Sequence, residues 1–203
     1  MKKITLTLLG LVAISTSALA QQEVKFGPKA GVNFATVNGK DSEGAKMLTG
    51  FHVGAFAEIK FNDKFAIQPE ILYSAQGAKG KDEGIEVKTK YDYINVPIMA
   101  KYYVVDNLAI EAGPYVGFLM KAEAESGSES LDLKDYTKSV DFGIGAGVSF
   151  NLDNGFFVGA RYNLGFAKIP EKSEAEILPG VTLSSEAADV KNGVIQISVG
   201  YKF

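Results

Sequence analysis

The sequence has no cysteine, one histidine and no excess of basic residues, and after its first twenty positions no apolar run long enough for a membrane helix. Without cysteine there is no disulfide framework, no thiolate metal site and no lipid-carrying cysteine of the lipoprotein kind. A histidine metal cluster or a Ser-His-Asp triad would have to be built around His52 alone. Lys and Arg total 21 against 24 Asp and Glu, for a net charge of −3. Nucleic acid is therefore excluded as a partner, since phosphate backbones are bound by clustered cations. Nothing beyond residue 20 approaches the ~20 apolar residues of a spanning helix, so a membrane form of this chain has to be a barrel.

The first residues stand apart. Met1, Lys2 and Lys3 are followed by a mostly apolar stretch at 4–14 and a small, polar one at 15–20 ending Ala18, Leu19, Ala20. This is the plan of a secretory signal peptide, with cleavage expected between Ala20 and Gln21. Residues 1–20 hold no acid, so loss of Lys2 and Lys3 takes the charge from −3 to −5. The remainder, 21–203, reads as one domain.

Within it, apolar residues recur at every second position, the period of a strand with unlike faces. Between 140 and 150, Val140, Phe142, Ile144, Ala146, Val148 and Phe150 share one face, and Asp141, Gly143, Gly145, Gly147 and Ser149 the other. The same alternation runs through 26–36, 51–61, 65–75, 91–103, 108–120, 156–166 and 194–203. Eight segments of about ten residues fit tilted membrane strands.

Connections alternate in length. Asn62, Asp63 and Lys64, then Asp106 and Asn107, then 151–155 are tight turns, whereas 37–49, 77–90, 122–139 and 167–193 read as long polar loops. All long loops then fall at one end and all short turns at the other. The expected fold is all-β: an eight-stranded antiparallel up-and-down transmembrane β-barrel in the bacterial outer membrane, with periplasmic termini.

Alternation alone does not say which face points outward. The polar face is rich in glycine (Gly113, Gly117, Gly143, Gly145, Gly147, Gly159), which suits a narrow lumen better than a solvated sheet. Aromatic residues at strand ends (Phe61, Phe65, Tyr102, Phe150, Phe156, Tyr201, Phe203) suit girdles at two lipid interfaces. The last strand, through Tyr201 to a terminal Phe203, resembles the signal read by the barrel-insertion machinery of outer-membrane proteins.

Several stretches are similar to the small porin-family outer-membrane barrels of the Bacteroidetes type, related to PorT-like barrels. They are Tyr93-Ile94-Asn95-Val96-Pro97-Ile98, Ala112-Gly113-Pro114-Tyr115-Val116-Gly117-Phe118, residues 140–150, Ala160-Arg161-Tyr162-Asn163, and Val199-Gly200-Tyr201-Lys202-Phe203. The resemblance implies fold and location, with outer-membrane lipid and the insertion machinery as partners; the family has no agreed substrate or reaction.

Eight strands leave an interior that side chains can fill. The inward charges Glu58, Lys60, Glu70, Lys101, Glu111, Asp141, Arg161 and Lys202 carry both signs and are expected to form a polar network plugging the lumen. His52 reads as a further lumen-facing polar residue. No catalytic residue, cofactor or metal ligand is assigned: the Gly143, Gly145, Gly147 run lacks nucleotide-loop spacing, and no helix follows it. The acidic residues Glu123, Glu125, Glu129, Asp132 and Asp135 of the third long loop, and Glu171, Glu174, Glu176, Glu186 and Asp189 of the fourth, lack calcium-loop spacing and read as solvated charge.

The leading expectation is a barrel with a structural, adhesive or accessory role. One alternative is a narrow gated pore for ions or small solutes, in which the lumen pairs exchange partners. Another is a secreted soluble barrel that turns its apolar face inward around a small ligand.

Overall fold

The computed structural model describes residues 23–40, 42–82, 85–126, 129–170, 173–178, 181–185 and 188–203. The predicted signal peptide and its cleavage pair, Ala20 and Gln21, lie outside the described residues, as do Glu171 and Glu186. The strands are β1 Glu23–Asn38, β2 Lys46–Lys60, β3 Phe65–Asp82, β4 Ile85–Val105, β5 Leu108–Ser126, β6 Glu129–Asp132, β7 Val140–Asn151, β8 Phe156–Gly165, β9 Ser173–Leu178, β10 Val181–Ser185 and β11 Lys191–Tyr201. A single 3-10 turn, Lys134–Tyr136, separates β6 from β7.

Eight of these strands close a ring. The order β4-β3-β2-β1-β11-β8-β7-β5 is completed by pairing of β4 with β5, and β6 hangs from β5 outside the ring. Every ring pairing is antiparallel, including the one between first and last strands, where Ala30 faces Val199 and Val32 faces Ile197. Closure leaves no free edge within the ring, so each backbone donor there has a neighbour strand to meet, which a lipid environment demands.

The alternation seen in sequence becomes inside and outside. On β7, Ile144 is 49 % exposed and Phe142 52 %, whereas Asp141 between the strand's outward residues is 4 % exposed. The same holds around the ring, from Val53 and Ile71 to Ile98, Val158 and Ile197 on the outer wall. The soluble barrel with an apolar interior is thereby overturned: the apolar face is the outer one. A continuous belt of this size is far beyond the apolar patches that soluble monomers expose.

Aromatic pairs mark both rims of the belt. Toward the short turns, ring centroids lie 5.1 Å apart for Phe65 and Tyr102, 4.9 Å for Phe156 and Tyr201, and 5.0 Å for Tyr201 and Phe203. Toward the long connections, Phe51 and Tyr73 are 5.6 Å apart and Phe142 and Phe166 6.4 Å. Tyr201 and Phe203 thus sit in the short-turn girdle.

Two of the expected long loops are largely strand. Residues 77–90 continue the β3–β4 ladder without interruption to Asp82 opposite Ile85. Residues 122–139 contain the end of β5, all of β6 and the 3-10 turn. Beyond the belt the outer wall no longer faces lipid, so the apolar alternation that marks a membrane strand disappears while backbone pairing persists. Residues 167–193 hold the β9–β10 hairpin. The first connection, 37–49, shrinks to the stretch between β1 and β2.

Candidate functional site

Seven charged groups, one from each of seven barrel walls, line up inside the ring with alternating sign. Lys202, just past β11, lies 2.8 Å from Glu58 of β2, which lies 3.0 Å from Lys101 of β4. Lys101 is 3.9 Å from Glu111 of β5, and Glu111 is 2.7 Å from Arg161 of β8. Arg161 is 2.7 Å from Glu70 of β3, which is 3.1 Å from Lys29 of β1. Each carboxylate stands between two cations, the arrangement that lets buried charge survive its desolvation cost.

The contacts are hydrogen bonds as well as ion pairs. Arg161 donates through Nη1 and Nη2 to the two oxygens of Glu70, at 3.0 and 2.7 Å, and through Nε to Glu111 at 2.7 Å. Such a two-pronged clasp is both stronger and more directional than a single contact. Gln68 donates to Glu70 at 2.7 Å and accepts from Lys101 at 3.0 Å. At the short-turn mouth Tyr103 donates its hydroxyl to Glu58 at 2.7 Å.

The eighth wall, β7, contributes no charge to this chain but the space it needs. A Cβ placed on Gly145 would lie 2.5 Å from Asn163 Oδ1 and 3.2 Å from Arg161 Cδ, and one on Gly147 3.1 Å from Arg161 Cβ. The glycine run therefore makes room for the arginine.

Toward the long-loop end a neutral layer follows. His52 lies 2.8 Å from Asn33 Oδ1 through Nδ1 and 2.9 Å from Ser198 Oγ through Nε2. Because Asn33 Oδ1 can only accept, Nδ1 carries the proton and Nε2 accepts from the Ser198 hydroxyl. Asn33 donates in turn to the carbonyls of Phe51 at 3.0 Å and Ala75 at 2.8 Å. His52 is 1 % exposed, Asn33 0 % and Ser198 5 %. This Ser-His-Asn line is buried and braces three strands.

Above it, Asp141 accepts from Tyr115 at 3.1 Å and Asn192 at 2.9 Å. An apolar cap closes this end. Ile169, between β8 and β9, is buried among Tyr91, Tyr93, Leu119 and Ala122, with Val37, Leu133 and Val190 packed around them. Backbone bonds hold it: Ile169 N–H donates to Val190 O at 2.8 Å, and Lys138 N–H to Ile169 O at 2.9 Å.

Of the eight inward charges expected from sequence, Glu58, Glu70, Lys101, Glu111, Arg161 and Lys202 fall in the alternating chain. Lys60 does not: it is half-buried at the short-turn mouth, its ammonium 4.5 Å above the Tyr103 ring. Asp141 is also apart. Arg161 pairs across the ladder with Gly147, six residues further along β7, or about 20 Å of strand. Lys29 was missed as a member, although it shares the polar face of β1 with Gly31 and Asn33 and is 4 % exposed. Missed too were the large apolar side chains that face inward, Phe56, Leu72, Met99 and Phe157. Of the acidic loop residues, Glu123 and Glu125 lie on β5, paired with Lys121 at 2.7 Å and Lys90 at 2.6 Å. Among the described residues no cluster of His, Cys, Asp and Glu could hold a metal ion.

The comparisons with known proteins agree with this architecture. No curated protein sequence matches the chain. Among solved structures, the crystal structure of Neisserial surface protein A is similar with a TM-score of 0.54 at 16 % identity, over 89 % of this chain and 99 % of that one. The crystal structure of Ail, the attachment invasion locus protein of Yersinia pestis, gives a TM-score of 0.51 at 18 % identity, with the same coverage of 89 % and 99 %. At such identities the likeness concerns the fold. Residues 19–171 match the family described as outer membrane protein beta-barrel domain. That match spans most of the sequence, and the chain belongs to this family of bacterial outer-membrane β-barrel proteins.

Proposed function

We propose that this protein is a non-conducting outer-membrane barrel which displays its long-loop end at the cell surface in an adhesive, structural or accessory role. The observation that carries the reading is the double closure of the lumen, by the alternating ion chain across its middle and by the Ile169 cap at one mouth. A barrel so filled has its outer surface and its projecting strands left for function. The β3–β4 ladder runs well past the aromatic rim, and β6 extends that wall. The likeness to an attachment and invasion protein supports the same reading.

The route to that location follows from the ends of the chain. Residues 1–20 act as a signal peptide cleaved between Ala20 and Gln21, and the insertion machinery reads the last strand through Tyr201 and Phe203. The termini then lie in the periplasm, and the closer affinity is with the PorT-like, porin-family barrels of the Bacteroidetes type.

Fractionation of cells expressing the full chain, with boiled and unboiled samples compared on a denaturing gel, tests the location. An outer-membrane band that migrates faster unboiled is expected; a soluble band indifferent to boiling overturns the reading. Planar bilayers test the closure. Silence is expected, whereas steady single-channel currents altered by neutralising Glu111 would favour the gated pore.

A further inference from the structure

The alternation of sign inside the barrel breaks at the short-turn mouth. From Lys29 to Lys202 every carboxylate stands between two cations, but past Lys202 the neighbouring charge is again a cation, Lys60. Three ammoniums gather about one aromatic ring: Lys60 lies 4.5 Å from the Tyr103 centroid, and Lys101 and Lys202 each lie 5.9 Å from it. Glu58 serves two of them, at 3.0 Å from Lys101 and 2.8 Å from Lys202. Among the described residues no carboxylate stands within ion-pair distance of Lys60. A cavity of about 260 Å³ lies against this ring, lined by Lys25, Glu58, Lys60, Tyr103 and Lys202, with Asp106 and Asp153 on exposed turns at its edge. Lys25 is matched already, 2.9 Å from Glu23.

We propose that this cavity is a phosphate site, which takes a water-borne phosphate dianion, free or as a monoester, between Lys60 and Lys202. The first argument is the missing partner. The Lys202 side chain is only 8 % exposed, so it cannot turn to water to escape a second cation, and neighbouring ammoniums without an anion between them repel. An anion at this step restores the order found in the rest of the chain. The second argument is the amount of charge. Lys29, Arg161, Lys101 and Lys202 face three carboxylates, Glu70, Glu111 and Glu58, which leaves one positive charge over, and Lys60 makes it two.

A phosphate monoester brings about −1.5 to −2 charges near neutral pH and three acceptor oxygens, enough for both ammoniums at once. A carboxylate would leave one cation unmatched. A phospholipid headgroup carries its phosphate as a singly charged diester tied to chains on the outer wall, whereas Glu58, Lys60 and Tyr103 line the cavity from the inner face of theirs. Asp106 and Asp153 set the size of the guest: a compact dianion seats among the ammoniums, while a long polyanion must lie along the acidic edge. The site rests on the lumen geometry and is independent of the adhesive role; that the phosphate arrives from the periplasm follows from the proposed orientation.

Amide chemical shifts of the full mature barrel, refolded in a non-ionic detergent and titrated at constant ionic strength, read the site directly. Inorganic phosphate and glycerol phosphate are both expected to move the signals of Lys60, Tyr103 and Lys202 to saturation, and acetate to leave them in place. Lys60→Gln is expected to weaken phosphate about tenfold, the weight of one charge-assisted hydrogen bond. The exposed-turn variant Lys64→Gln keeps the wild-type affinity. An equal response to acetate and phosphate, or an unchanged titration of Lys60→Gln, overturns the proposal. Displacement of phosphate by phosphatidylglycerol added to the micelles overturns it too, by giving the same cations to a lipid. The wild-type comparison of phosphate with acetate decides the matter even where Lys60→Gln fails to yield the heat-modifiable folded band.

Discussion

Arg161 of β8 and Glu70 of β3 meet across the lumen, joined by two hydrogen bonds of 3.0 and 2.7 Å although 91 residues apart in sequence. Neither wall is a ladder neighbour of the other. The clasp therefore spans the ring as a strut, and Glu111 and Lys29 extend it to two further walls.

Removing the arginine is expected to cost far more than removing the charge from both sides. Arg161→Ala leaves Glu70 and Glu111 buried with fewer cations, a loss of about 3–5 kcal/mol. The quadruple replacement Arg161→Met, Glu70→Leu, Glu111→Leu, Lys29→Met, which also removes the ammonium that Glu70 holds, is expected to recover most of that loss. Urea unfolding of the refolded barrel, followed by the heat-modifiable band, measures both. A single variant as stable as wild type would show that the strut carries no weight.

The glycines of β7 give a second test of the same strut. Gly145→Val would put a side chain 2.5 Å from Asn163 Oδ1 and against the arginine, so overpacking should cost about 1–3 kcal/mol. Gly159→Ala serves as the contrast, since its nearest neighbour is Val148 O at 3.3 Å. Similar midpoints for the two variants would contradict the role assigned to β7.

The outer belt makes a prediction about depth. Ile144 lies midway along the outward face of β7 and is 49 % exposed to what surrounds the barrel, while Leu131 of β6, 64 % exposed, lies beyond the rim. Ile144→Arg is expected to lower the stability of the lipid-inserted form by about 2–4 kcal/mol, and Leu131→Arg by less than ~0.5 kcal/mol. Folding into vesicles, assayed by protection from added protease, distinguishes them.

How much of this could be read from sequence depended on where lipid ends. Between the rims each strand has lipid on one side and a packed lumen on the other, and the contrast of Ile144 with Asp141 or Val53 with His52 exposes the fold. Past the rim, Lys79 opposite Lys88 and Lys81 opposite Glu86 pair as strand partners without any apolar face to announce it. Strand ends in 77–90 were therefore invisible to hydrophobic periodicity. The lumen was half legible for a related reason. Inward parity names the candidates, but the partners depend on register across the ring, which joins Arg161 to Glu70 and leaves Asp141 at the far end. Lys29 shows the same limit: its face was evident, whereas its carboxylate lay 41 positions away. The Ile169 cap had no such signal, because Ile169 lies past the last alternating residue of its strand and acquires its burial from Tyr91, Tyr93 and Leu119.

The two closures are physically separate, and that separation predicts how conduction could be created. Ile169→Ala removes the side chain at the centre of the cap and is expected to loosen the backbone bonds from Lys138 and to Val190, seen as faster amide exchange at Lys138 and Ile169. Bilayer recordings of this variant should remain silent, because the chain from Lys202 to Lys29 still blocks the middle. Arg161→Ala alone should also be silent, since the cap persists above it. The double variant opens both obstructions and is expected to conduct, with single-channel currents that neither parent shows. Conduction by the Ile169 variant alone would mean that the ion chain parts readily and that the barrel is a pore with an apolar gate; a silent double variant, folded by the heat test, would mean that the inward apolar residues Phe56, Leu72, Met99 and Phe157 suffice to fill the lumen.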